Sequence, residues 1–144
     1  MNLIWGSILI IFTLSGWLAQ VINAYSAELA AKWGLSEPES DVDATYFVDG
    51  RGEAVWDAMS IWTLPVAGVL LILNNPSWAY FGLVGGGMYL YFAGRGIVVR
   101  VFMNRRGIRT GNPGTVKLAY AFFIASGLIG VTTIIMAAAA LPLP

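Results

Sequence analysis

The chain has 144 residues, 58% of them hydrophobic and 11% charged, and its eight basic and eight acidic residues cancel. Soluble domains carry about 25% charged residues, so this balance points to a bilayer, and the length suits one domain. Histidine and cysteine are both absent. That removes the commonest general base, the commonest metal and haem ligands, and all thiol, disulfide and iron–sulfur chemistry.

Four apolar stretches approach or exceed the roughly 20 residues that cross a bilayer core as a helix. They lie at about 3–23, 54–73, 78–99 and 116–140. The first lacks the positively charged start of a signal peptide, and its apolar run is longer than one needs, so it reads as a retained span. It is expected to run on as helix through Ala24–Trp33, with Gly34 at the C-terminal cap position. The segment 35–52, holding Pro38 and the Asp49-Gly50 pair, reads as a loop within an acidic connection over about 24–53. Pro65 falls inside the second span and should kink it. Asn74-Asn75-Pro76-Ser77 forms a tight turn into the third span, which opens with aromatics, continues through glycines and ends in arginines. A basic connection over about 100–115 leads to the fourth span. Four short spans cannot close a barrel, so the expected fold is an all-α integral membrane four-helix bundle, a single domain over 1–144.

All eight basic residues lie near the first and third connections, and none lies in the 74–77 turn. By the positive-inside rule both connections face the cytoplasm and both termini lie on the other side, which suits a bacterial inner membrane. The acids share this geography. Glu28 to Asp57 carries eight acids against two bases, a net of −6, and Arg95 to Lys117 carries six bases and no acid. Opposite blocks on one membrane face are expected to dock as a polar cytoplasmic cap.

Between helices in lipid, small residues that permit close approach do much of the work. Plotted at 100° per residue, Gly82, Gly86, Ala93, Gly96 and Arg100 share a face of the third span, Ser126 and Gly130 one of the fourth, and Glu53 and Asp57 one of the second. The second span starts at the charged boundary, where the helix dipole favours anions, and the third ends there, where it favours cations. An ion pair between Asp57 or Glu53 and Arg100 follows. Arg95 is a second candidate, but its place on the opposite helix face favours snorkelling to the headgroups.

Glu53 and Asp57 have the spacing for a general acid/base pair or an oxygen-ligated divalent cation, yet the same cluster serves as a structural ion pair. The latter is the expectation, with no catalytic, metal or cofactor residue assigned. The acidic stretch from Asp41 fails as a calcium loop because Tyr46 stands where the sharp turn needs glycine. Arg105, Arg106 and Arg109 suit anionic lipid headgroups or a partner. Nucleic acid is excluded, since the neighbouring acidic block cancels the field it needs. Trp17, Trp62, Tyr89, Tyr91, Phe92, Phe122 and Phe123 suit core packing before an apolar pocket.

The functional expectation is a non-catalytic accessory or scaffold subunit, packing on other membrane proteins or on copies of itself through glycine-rich faces. The alternative is a lipophile binder, or a headgroup enzyme with Glu53 and Asp57 as acid and base and arginines on phosphate. A small channel or transporter comes third, because the half of the membrane away from the charges holds no ionisable residue.

Overall fold

The computed structural model describes residues 2–141. Among them the chain is all-helical. The helices are α1 Asn2–Tyr25, α2 Ala27–Lys32, α3 Ala44–Ser60, α4 Thr63–Ile72, α5 Trp78–Arg105 and α6 Pro113–Ala140, with a 3₁₀ turn at Glu39–Asp41 and no strand. Four helical segments are long and apolar enough to cross a membrane: α1, α3 with α4, α5, and α6. α4 packs on both α1 and α5, and α5 packs most extensively on α6. Phe12 stacks on Phe122 with ring centroids 5.2 Å apart, which brings α6 back to α1.

The helix ends follow local chemistry. Gly34, Asn74 and Gly107 have φ of 70°, 54° and 74° just past the ends of α2, α4 and α5. In each case the next residue's N–H reaches back to the carbonyl five residues earlier: Leu35 to Ala30, Asn75 to Leu70, Ile108 to Met103. These are Schellman caps, which satisfy the last carbonyls and need the left-handed conformation that Gly and Asn tolerate. α6 starts with Asn112 accepting from the Gly114 and Thr115 N–H groups, and with Pro113 in its first turn.

Three expectations need correction. The helix expected to run unbroken through Ala24–Trp33 breaks at Ser26, which adopts extended φ −149° and ψ 110° and caps α2 by accepting the Leu29 N–H at 3.2 Å. The expected loop over 35–52 is helical from Ala44, ten residues before the expected start of the second span. Gly50 and Gly52 each cost this helix about 1 kcal/mol, and tertiary anchors offset that. Asp43, just ahead of α3, donates its N–H to the Arg109 carbonyl at 2.9 Å while its carboxylate accepts the Arg109 N–H. Arg51 ties α3 to the end of α1, donating to the Ala24 carbonyl at 3.0 Å. Finally, the kink assigned to Pro65 is a break at Ile61 and Trp62. Pro65 has no N–H for the Ile61 carbonyl, and its ring crowds the preceding turn.

Backbones touch at several seams. A Cβ on Gly86 would lie 2.9 Å from the Gly130 carbonyl oxygen, and one on Gly130 would lie 2.8 Å from that of Gly86. On the other side of α5, a Cβ on Gly85 would meet the Leu64 nitrogen at 2.7 Å. Leu9, Ile61, Leu64, Ala67 and Tyr89 form the core between α1, the α3–α4 junction, α4 and α5.

Candidate functional site

α3 carries Asp49, Glu53 and Asp57 at four-residue intervals, which places them along one helix face. That face meets Arg95 of α5. The Arg95 guanidinium lies 2.6 Å from Asp49 Oδ1 and 2.8 Å from Glu53 Oε1. The pairing expected for Arg100 is therefore made by Arg95, the second candidate. Arg100 lies five residues on, about 140° around the helix, on the side facing α6 and the start of α3. There it donates to the Tyr46 hydroxyl at 2.6 Å and to its own helix at the Gly96 carbonyl, 3.2 Å away. Its guanidinium also sits 4.6 Å from the centre of the Phe123 ring and 5.3 Å from that of Tyr46. Because α3 begins ten residues early, Tyr46 occupies the place beside Arg100 that the sequence reading reserved for a carboxylate.

Asp57 pairs with neither arginine. It is 3% exposed, and among the described residues its Oδ2 is buried without a hydrogen-bond partner. It lines a cleft of about 250 Å³ between α3 and α5, together with Gly52, Glu53, Trp56, Tyr91 and Arg95. The cleft follows from the Pro65 break. α4 packs against both α1 and α5, whereas α3 leans on α1 and barely touches α5. Trp56 and Tyr91 stand at its rim, 55% and 59% exposed.

A second, smaller cavity of about 110 Å³ lies across α3, lined among others by Gln20, Asn23, Tyr46, Arg51, Glu53 and Arg100. Arg51 crosses it to Asn23 Oδ1 at 3.4 Å. The mildly polar residues near the end of α1 thus face this cavity. Beyond it the two polar connections meet: Thr115 donates to Glu37, the Asp43 and Arg109 backbones pair, and Arg109 Nη2 reaches the Ser40 carbonyl at 3.5 Å.

Arg105 and Arg106 are exposed, and Arg105 lies over its own Phe102 at 5.6 Å. Gly82, Gly86, Ala93, Gly96, Ser126 and Gly130 are all buried. Gly82 faces Ala137 and Thr133, and Gly96 faces the Phe123 ring. The aromatics fill space: Tyr89 donates to the Thr13 carbonyl at 2.8 Å, Trp17 to the Ala58 carbonyl at 2.9 Å, and Phe92 meets Phe123 edge-on at 5.1 Å. Trp62 and Tyr91 are the exceptions and lie exposed. No group of three or more acidic side chains among the described residues is arranged to hold a metal ion.

The sequence reading missed Tyr46 and Asp49. For Asp49 a signal existed: the period of four linking it to Glu53 and Asp57 is legible once the helix is extended backwards. Comparison with protein families, curated proteins and solved structures finds no match to this chain.

Proposed function

We propose that this is a non-catalytic membrane protein that holds the headgroup of an amphiphile in the cleft between α3 and α5. One observation carries the reading: the Asp57 carboxylate is buried, unpartnered and part of the cleft lining. An ionisable group within a membrane span is costly and by default marks a site. The side chains beside it are held in place by ion pairs, which suits binding, and no nucleophile or histidine stands next to them. Arg100 and Arg105, the arginines a headgroup enzyme would need on phosphate, are not in the cleft lining. In this reading the polar connections form a cap on the cytoplasmic side of a bacterial inner membrane and both termini lie opposite. The eight-to-zero sorting of basic residues supports this. The exposed arginines Arg105 and Arg106 would then rest on anionic headgroups.

The test is native mass spectrometry after extraction in mild detergent. Wild-type protein should carry a bound amphiphile that Asp57→Asn loses, while the variant keeps its helicity. Equal adduct on both proteins would refute the cleft as the site.

A second reading is an accessory or scaffold subunit, favoured by Gly87 and Gly94. They lie seven residues apart on one side of α5, with open space where a Cβ would stand. Close-approach positions that no helix among the described residues uses suit a partner helix. A Gly87→Leu variant that keeps its fold but drops out of a complex of fixed stoichiometry would support it.

A further inference from the structure

We infer that the amphiphile is a lipid with a primary ammonium headgroup, of the phosphatidylethanolamine class. This rests on the cleft reading above and specifies its ligand. Four observations converge on a cation that carries N–H donors.

The first is charge. Asp49, Glu53 and Asp57 share one face of α3, and among the described residues the one guanidinium that reaches them is that of Arg95. With all four ionised the cluster is net −2, so it repels a headgroup that is anionic overall and attracts the ammonium end of a zwitterionic one.

The second is an unused acceptor. Asp57 lines the cleft, and among the described residues its Oδ2 is buried with no donor beside it. An ammonium N–H completes it with a charge-assisted hydrogen bond. A quaternary ammonium has no N–H to offer, which separates ethanolamine from choline headgroups.

The third is the rim. Trp56 and Tyr91, from the two helices that border the cleft, are its exposed aromatics. Aromatic faces attract a cation passing between them, and their amphipathic rings belong at headgroup depth. The fourth is the path for the tail. From Tyr91 the exposed side of α5 continues through Gly87, Val84 and Tyr80 towards the far end of the bundle. Gly87 has nothing within 4 Å of its Cβ position. An acyl chain can lie along that exposed side with its head at Asp57. Arg95 also lines the cleft and keeps N–H groups beyond the two it turns to carboxylates, donors for a phosphate joined to the ammonium by two carbons.

The test uses full-length protein stripped of lipid in detergent. It is then offered phosphatidylethanolamine, phosphatidylcholine or phosphatidylglycerol with identical acyl chains, and adducts are counted by native mass spectrometry. Phosphatidylethanolamine should be retained about tenfold better than either, which corresponds to about 1.4 kcal/mol. Asp57→Asn should abolish that preference. Trp56→Ala, a substitution at an exposed position, serves as a second variant should Asp57→Asn not fold, and should weaken retention severalfold. Equal retention of all three lipids, each lost in Asp57→Asn, would overturn the ammonium assignment and leave the cleft reading standing. Retention of no lipid in a manner that depends on Asp57 or Trp56 would overturn both. Displacement of the lipid by free ethanolamine at equal concentration would overturn a lipid source in favour of a soluble amine.

Discussion

The seam between α5 and α6 and the cleft between α5 and α3 lie on the same helix and are built on opposite principles. At the seam Gly86 and Gly130 bring two backbones together, each carbonyl standing where the other residue's Cβ would be. Nothing polar is asked of those side chains, and association rests on dispersion between close-packed surfaces. At the cleft the helices stand apart, and two carboxylates, Glu53 and Asp57, and the Arg95 guanidinium line the gap, with Asp49 also paired to that guanidinium. That contrast locates where this molecule can change. A backbone-to-backbone seam has no slack, whereas a gap spanned by long side chains can admit another molecule.

The largest expected effect breaks the seam. Gly86→Leu should cost about 3 kcal/mol or more, because the clash is with backbone and cannot be relieved by a rotamer. Loss of the thermal transition in detergent, followed by circular dichroism, is the measurement. Gly87→Ala, one residue away in open space, should instead raise stability by about 0.5–1 kcal/mol through helix propensity. Equal destabilisation by the two would show that α5 is rotated from the arrangement described.

Next in size is the cleft itself. Arg95→Ala leaves Asp49 and Glu53 without their cation and should cost about 2 kcal/mol, moderated because these side chains are 13–30% exposed to solvent or headgroups. Adding Glu53→Gln to it should restore part of the loss, and a double-mutant cycle measures the coupling. A cycle between Arg100 and Glu53 should show far less. Arg100→Lys should cost about 1 kcal/mol, since an ammonium keeps the charge but loses the flat stacking on Phe123.

The smallest effect belongs to the connections. Asp43→Ala removes the acceptor for the Arg109 N–H at the entry to α3. It should cost about 1 kcal/mol. Hydrogen exchange should quicken in the first turn of α3 and leave the α5–α6 seam unchanged.

Much of this architecture is legible in the residues before any folding is considered. Stretches of about 20 apolar residues must be helices in lipid, and the four appear with ends shifted by a few residues, apart from α3. At 100° per residue the small side chains of α5 and α6 line up without reference to a partner, and those named from the sequence are buried. The ion pairs were not. A helix start depends on competing weak terms, and ahead of and within α3 Pro38 and the Asp49-Gly50 pair amid acidic residues pointed to a loop. Contacts from Arg109 to Asp43 and from Arg51 to Ala24, far apart along the chain, decided for helix.

What the residues fix segment by segment, then, is the number of helices long and apolar enough to span a membrane and the sorting of charge along the chain, since apolar length and charge are properties of each segment in isolation. The choice of Arg95 over Arg100, the place of Tyr46 and the solitude of Asp57 were decided by the tertiary structure. These depend on the relative rotation of α3 and α5, and on how far the break before Pro65 swings α3 away. Both angles are set by packing against α1 and α6, which no single segment encodes.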